Sequence, residues 1–246
     1  LKSELALKKI IETGEIKKDD IILEIGPGKG VLTEKLLEKV EAGRGMVIAV
    51  EKDRELFEFL KMKFAPQIAL RSFVLVHGDI LKFEIKNYAL RDYKIIANIP
   101  YNITGAILKK FLTEKHQPTS MVLMVQKEVA RRIVAQDGKE SILSISVKAY
   151  GEPKIAMKVS ARYFSPAPKV DSAIIFIKNI SRKIFKENKT KEENFWEIVK
   201  TGFAHKRKKL SSNLKNLKLR ENTYLENLGN KRAEELLLED WISLSN

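Results

Sequence analysis

The stretch Asn98-Ile99-Pro100-Tyr101 brings together an amide side chain, backbone carbonyls beside a proline, and an aromatic ring. These groups suit chemistry on an exocyclic amine such as N6 of adenine. The lone pair of that nitrogen is delocalised into the ring, so it is a poor nucleophile until it is drawn toward pyramidal geometry. The side-chain oxygen of Asn98 and the backbone C=O of Ile99 or Pro100 can accept its two N–H bonds and leave the lone pair aimed at an electrophile. Pro100 presets the local backbone. Tyr101 offers a face on which a base can stack after leaving its helix. A lone N-x-P-Y is also an ordinary strand-ending turn; its place at the end of a fourth strand, behind three further contacts, favours the catalytic assignment of Asn98, Pro100 and Tyr101.

Those three contacts come earlier in the chain. Gly26-Pro27-Gly28-Lys29-Gly30 follows an apolar run, with Glu24 just ahead of it, where a Cβ would block a tight turn and keep a ligand from the backbone N–H groups. The spacing is G-x-G-x-G, and Val31 stands where a dinucleotide fingerprint has its third glycine, so pyrophosphate binding is not favoured. Glu51 lies about twenty residues further on, where an acid can accept both hydroxyls of a ribose. In Gly78-Asp79-Ile80 the carboxylate can accept from an adenine amino group while Ile80 packs on the ring. Glycine turn, ribose acid and adenine acid in this order look like an S-adenosylmethionine site; singly, Glu51 and Asp79 also read as polar residues at strand ends.

The elements that must carry these residues follow from periodicity. Short β-branched runs at 21–25, 46–50, 73–77, 94–98 and 120–125 predict parallel strands. The amphipathic stretches 31–41, 54–64, 105–113 and 127–135 predict helices packed on them. After a helical stretch at 141–149, strands at 154–159 and 173–178 are too close for a parallel crossover, so the sheet should end in an antiparallel hairpin. The fold class is α/β: a Rossmann-like methyltransferase sheet over 1–180, with a small α-helical C-terminal domain over 191–246. A polar linker is expected from Asn179 to about Thr190, and helices at 192–203, 206–214, 221–228 and 231–238. Leu1 to Thr13 reads as a helix with no visible start, and the absence of an initial Met leads to the expectation that a native N-terminal segment is missing.

Composition bounds the possibilities. The 246 residues carry 46 Lys and Arg against 32 Asp and Glu, a net charge of +14, which makes a polyanion the first candidate partner. The chain has no Cys, which excludes disulfides, thiolate zinc sites and a cysteine nucleophile. C5-pyrimidine methylation needs such a thiolate; exocyclic amine methylation does not. The His residues at 77, 116 and 205 are too scattered to propose a metal site and are taken as structural or surface residues. No apolar run approaches the roughly 18 residues needed to span a bilayer, so no membrane association is expected, and the opening Leu-Lys-Ser-Glu lacks a basic-then-apolar signal region, so a cytoplasmic location is expected.

At this point the sequence resembles the KsgA-type small-subunit rRNA adenine N6,N6-dimethyltransferases. The matching stretches are EIGPGKGVLTEKL from Glu24, AVEKD from Ala49, HGDIL from His77, NIPYNIT from Asn98, VQKEVARR from Val125, YFSPAPKVDSA from Tyr163 and GFAHKRKKLSSNL from Gly202. They span nearly the whole chain in order. The resemblance implies dimethylation of two adjacent adenosines in the 3′-terminal hairpin of 16S-type rRNA, with a small-subunit assembly intermediate as partner; nothing in the sequence suggests an obligate protein partner, so a monomer is expected. The resemblance also implies that Gly26, Glu51, Asp79 and Asn98 bind S-adenosylmethionine and that Asn98, Pro100 and Tyr101 handle the base; Lys52 and Ile80, next to the two acids, are expected to complete the cofactor pocket, together with Glu24 and Gly28 of the glycine turn. One departure stands out: family members begin with a segment containing G-Q-N/H-F-L, and nothing in Leu1 to Ile10 matches it.

Two further regions bear on RNA. In the proline-stiffened loop of the closing hairpin, Phe164 is a candidate second face for the base opposite Tyr101, and Lys169 a phosphate contact; a rigid loop with Phe164 in the core is the competing assignment. Between Val199 and Arg220 there are eight Lys or Arg and no acid, with a run at Lys206, Arg207, Lys208 and Lys209. Such a cluster suits a salt-sensitive grip on rRNA, against the usual solvated helix surface. Arg131 and Arg132 extend that surface or pair with acids. The alternatives are the large-subunit rRNA adenine methylase of the macrolide-resistance type, and a non-catalytic assembly factor on the same fold.

Overall fold

The computed structural model describes residues 2–87, 92–217 and 223–246. In chain order the elements are α1 (Glu4–Thr13), β1 (Ile21–Ile25), α2 (Val31–Leu37), β2 (Met46–Glu51), α3 (Arg54–Lys63), α4 (Ala65–Ala69), β3 (Phe73–His77), β4 (Tyr93–Asn98), α5 (Thr104–Thr113), β5 (Ser120–Gln126), α6 (Lys127–Val134), α7 (Ile142–Lys148), β6 (Glu152–Val159), β7 (Ser172–Lys178), α8 (Lys183–Glu187), α9 (Glu192–Gly202), α10 (Leu210–Leu214), α11 (Thr223–Leu228) and α12 (Leu238–Leu244). The strands form one sheet in the order β3-β2-β1-β4-β5-β7-β6. The first five are parallel; β7 runs antiparallel to both β5 and β6, the expected closing hairpin. The order reverses between β1 and β4, so their carboxyl ends are where an open α/β sheet receives a ligand.

Burial explains why the strands read as continuous apolar runs. All five residues of β1 are buried, and so are Val47 to Glu51 of β2, as strands covered on both faces must be. On one face Ile22, Val47, Ile96, Val122 and Ile174 share a core with Ala6, Leu7 and Ile10 of α1, Leu32 and Leu36 of α2, and Leu60 of α3. A fully buried Leu or Ile stabilises by about 1.5–3 kcal/mol. The start of α1 that the sequence concealed is a serine cap: Ser3 Oγ accepts the Ala6 N–H at 3.1 Å.

The chain divides into two compact units, residues 1–130 with 152–180 and residues 131–151 with 181–246. The division differs from the expected uninterrupted 1–180 unit, because residues 139–150 bond within the second unit. The Glu140 N–H donates to the Glu234 C=O at 2.8 Å, and Lys139 pairs with Glu234 at 3.1 Å. The Tyr150 hydroxyl donates to Glu192 and accepts from Trp196 Nε1 at 3.1 Å.

Three further expectations are corrected in the second unit. The anticipated linker contains α8, whose Phe185 is buried with its ring 5.3 Å from that of Phe195. The helix expected from Lys206 forms only at α10, where Leu210 and Leu214 are fully buried; the four adjacent cations before it remain exposed in a turn. The pattern at 231–238 yields a single 3-10 turn, Ala233–Glu235, while α12 follows it and buries Trp241 against Phe203 at 5.3 Å. Of the basic segment, Lys218 and Arg220 lie outside the described residues, as do the first two positions of the helix expected at 221–228.

Candidate active site

The glycine loop leaves β1 with Gly26, Gly28 and Gly30 all in the left-handed region, at φ of 64°, 60° and 75°. Each position strains any residue with a Cβ, and two have distinct surroundings. A Cβ on Gly30 would stand 2.6 Å from Phe64 Cε2, so this glycine permits the close approach of the loop to the residue that follows α3. A Cβ on Gly28 would meet nothing within 4 Å, so its side faces open space. A ligand can reach the backbone there.

Glu51 ends β2 and is 6% exposed. One carboxylate oxygen, Oε2, accepts the Gly28 N–H at 3.1 Å, and the other, Oε1, accepts the Asp53 N–H at 2.9 Å. Asp53 in turn caps α3 through the Leu56 N–H at 2.9 Å. Two backbone donors therefore hold the carboxylate while each oxygen keeps a second lone pair for a hydroxyl. After β3, the Gly78 N–H donates to the Glu51 C=O at 2.9 Å, which carries Asp79 to the end of the neighbouring strand. Asp79 Oδ1 accepts the Leu81 N–H and Oδ2 accepts from Lys52 Nζ, both at 3.0 Å. The Leu81 N–H, and after it the Lys52 ammonium, hold the Asp79 carboxyl below the usual carboxylate range. Ile80 beside it is buried.

Glu24 departs from its expected place against the cofactor. It is 1% exposed, and its Oε2 accepts from the Thr33 hydroxyl at 2.7 Å. The bond ties β1 to α2 beneath the glycine loop, so Glu24 supports the loop from behind. Burial pushes its carboxyl up to about 8, the Thr33 hydrogen bond opposes that rise, and the nearby Glu51 carboxylate adds to it. The Lys52 ammonium pairs with Asp79 and is largely exposed.

The structure brings the Asn98–Tyr101 tip to this loop. A Cβ on Gly26 would lie 3.9 Å from Pro100 Cδ, which puts the first glycine and the tip proline side by side. Asn98 closes β4, and Tyr101 opens a 3-10 turn, Tyr101–Ile103, that leads into α5. The Ile103 N–H occupies the Pro100 C=O at 3.3 Å, and the Thr104 hydroxyl occupies the Tyr101 C=O at 3.0 Å. Of the two backbone acceptors left open by the sequence, the Pro100 carbonyl already receives one N–H within the turn. The Tyr101 hydroxyl meets Ser172 Oγ at 2.5 Å.

Sequence reasoning missed Thr33 and Ser172. Both were inside stretches already singled out, GVLTEKL and KVDSA, but a lone hydroxyl carries no spacing signal of its own. Phe164 is half-buried and packs on the first unit's core cluster next to Tyr163, and Lys169 is exposed. In the second unit Lys206, Arg207, Lys208 and Lys209 are all exposed. Their turn is clamped by Asn213, whose side-chain amide donates to the Gly202 C=O at 2.6 Å and the His205 C=O at 3.2 Å. Among the described residues no group of His, Cys, Asp and Glu could hold a metal, and no helix is long and apolar enough to cross a membrane.

Comparison with known proteins returns the same chemistry. A family model for ribosomal RNA adenine dimethylases matches residues 1–246. A ribosomal RNA small subunit methyltransferase A of Dehalococcoides mccartyi (strain CBDB1) is 40% identical over 251 residues, covering 98% of this chain and 83% of the relative. Among solved structures, a dimethyladenosine transferase from Plasmodium falciparum superposes with a TM-score of 0.83 at 28% identity, covering 99% of this chain and 95% of that one. The 23S rRNA methyltransferase ErmE superposes with a TM-score of 0.76 at 25% identity, covering 99% and 97%.

Proposed function

The chain belongs to the ribosomal RNA adenine dimethylase family, and from that premise we propose that it transfers methyl groups from S-adenosylmethionine to N6 of two adjacent adenosines in the 3′-terminal hairpin of small-subunit rRNA. One observation carries the reading: the glycine loop, with its open face at Gly28, lies against Pro100 of the Asn98–Tyr101 tip. A donor of methyl and an acceptor amine held at these two places would meet at the carboxyl ends of β1 and β4.

The residues fit the cofactor. Glu51 presents free lone pairs to ribose hydroxyls, Asp79 accepts from the adenine amino group, and the Gly26–Gly28 backbone lets the ligand approach. When bound, S-adenosylmethionine supplies a methyl group activated by a positively charged sulfur. Asn98 Oδ1 and the backbone carbonyl of Ile99 or Pro100 accept the two N6–H bonds of the target adenosine and orient its lone pair. Tyr101 stacks on the flipped base, with Pro100 holding the backbone of the tip. Such preset acceptors lower the barrier by orientation rather than by a strong base. Phe164 covers the opposite face of the base in this reading, and Lys169 meets a phosphate.

Lys206 to Lys209 grip rRNA phosphates from the second unit, and clamping of their turn by Asn213 reduces the entropy that binding must spend on ordering them. In this reading the protein works as a monomer on small-subunit precursors in the cytoplasm. The large-subunit alternative is not adopted: the 40% identical relative bears a small-subunit name, while the large-subunit enzyme is 25% identical. The test is methyl transfer from labelled S-adenosylmethionine to undermethylated small and large subunits offered separately. Label in small-subunit RNA supports the proposal, and label confined to large-subunit RNA overturns it.

A further inference from the structure

The hydroxyl of Tyr101 is tied to a residue two strands away. Tyr101 follows β4, yet its Oη lies 2.5 Å from the Oγ of Ser172, the first residue of β7, with β5 between the two strands. Either hydroxyl can donate. Ser172 is completely buried, so its hydroxyl needs a partner within the protein, because an unpaired one at such a site is costly.

The anchor itself is rigid. Ser172 pairs with Gln126 of β5 on one side and with Val159 of β6 on the other. The residue before it is fixed as well: the Asp171 C=O accepts the Lys127 N–H at 3.0 Å, and Asp171 Oδ1 accepts the Ala161 N–H at 3.1 Å. Tyr101 is therefore held at both ends, by the 3-10 turn at its backbone and by this three-strand corner at its hydroxyl. Pinning the hydroxyl fixes χ1, and with it the axis along which the ring lies, while rotation about that axis leaves the hydroxyl in place.

We infer that Ser172 is a positioning residue for methyl transfer: by holding the Tyr101 hydroxyl it fixes the place and long axis of the ring on which the target base stacks. The inference rests on the proposed adenine methylation. It also assigns the tyrosine its work, since a hydroxyl engaged with a buried serine acts as a tether and leaves the ring face to meet the base. Ser172 touches neither base nor cofactor and acts only through Tyr101.

The experiment is a double-variant cycle on the whole chain with S-adenosylmethionine and undermethylated small subunits. Tyr101→Phe keeps the ring and removes only the tether, and Ser172→Ala removes it from the other side. Each single variant is expected to lower kcat by about tenfold, with cofactor affinity unchanged, and the double variant to be no slower than the singles, because one interaction is lost in all three. A serine that merely stabilised β7 would shift the melting temperature and leave kcat of the folded enzyme intact. The inference is overturned if Ser172→Ala turns over like the unsubstituted protein, or if the two losses multiply. An unsubstituted protein that transfers no methyl group would instead overturn the proposed function.

Discussion

Gly28 donates its backbone N–H to the Glu51 carboxylate at 3.1 Å, so the residue proposed to accept the ribose is fixed by the loop proposed to cradle the same ligand. The second carboxylate oxygen is held by Asp53, and neither bond requires another side chain. The orientation of the acid is thereby built into the turn.

Glu51→Gln should weaken S-adenosylmethionine binding by about tenfold to a hundredfold, roughly 1.4–2.8 kcal/mol, since an amide offers one acceptor oxygen where the carboxylate offers two. Isothermal titration calorimetry measures the change. An unaltered dissociation constant would remove Glu51 from the ribose site.

Asn98→Ala removes the side-chain acceptor for N6 while leaving the glycine loop and Glu51 in place. Methyl transfer should fall by on the order of a hundredfold or more, the usual effect of losing one preorganised hydrogen-bonding group at a reacting atom. Cofactor affinity should change by no more than about threefold, below roughly 0.7 kcal/mol. Single-turnover rates paired with calorimetry separate the two quantities.

Glu24 gives stability a pH dependence of definite sign. Its folded carboxyl is raised to about 8 from the ordinary 4.5, so between those values the folded protein holds a proton that the unfolded chain has lost. The contribution of this group is complete below the unfolded value and disappears as the pH rises through the folded one. Glu24→Gln has no such proton to lose. Its stability relative to the unsubstituted protein should rise between about pH 5 and pH 8, by at most about 1.4 kcal/mol per pH unit. Urea unfolding at the two ends of that window checks the sign; an equal difference at both ends would contradict it.

Replacement of Lys206, Arg207, Lys208 and Lys209 by Gln should weaken RNA binding and flatten its dependence on salt. Each lost phosphate contact should reduce the log–log slope by about 0.7–0.9. The slope comes from binding titrations at several salt concentrations. If it is unchanged, the four cations are solvated surface and the grip lies elsewhere.

What could be read from the residues alone follows from where each signal resides. The seven strands and the closing hairpin were legible because their apolar runs are short, β-branched and bounded by turns. The placement of Gly28, Glu51, Asp79 and Asn98 after neighbouring parallel strands was legible, because each follows or ends a strand in a fixed order along the chain. Glu24 was misplaced for the opposite reason: its neighbours in sequence point at the ligand, but its carboxylate turns inward to Thr33, and sequence does not reveal that direction. Ser172 was invisible because its partner lies 71 residues away, in the turn that follows a non-adjacent strand. In the second unit, α8 reads as linker because five residues of mixed charge show no clear helical period. Helix α12 was obscured because the preceding 3-10 turn shifts the register of the apolar positions.

The central claim is that this chain dimethylates adenosine at N6 in small-subunit rRNA. The most direct test is mass-spectrometric analysis of nucleosides and mapped fragments of undermethylated small subunits after incubation with the protein and S-adenosylmethionine. N6,N6-dimethyladenosine at two adjacent positions of the 3′-terminal hairpin is the expected result. Methylation on any other atom, or its absence from that hairpin in an active preparation, would contradict the account.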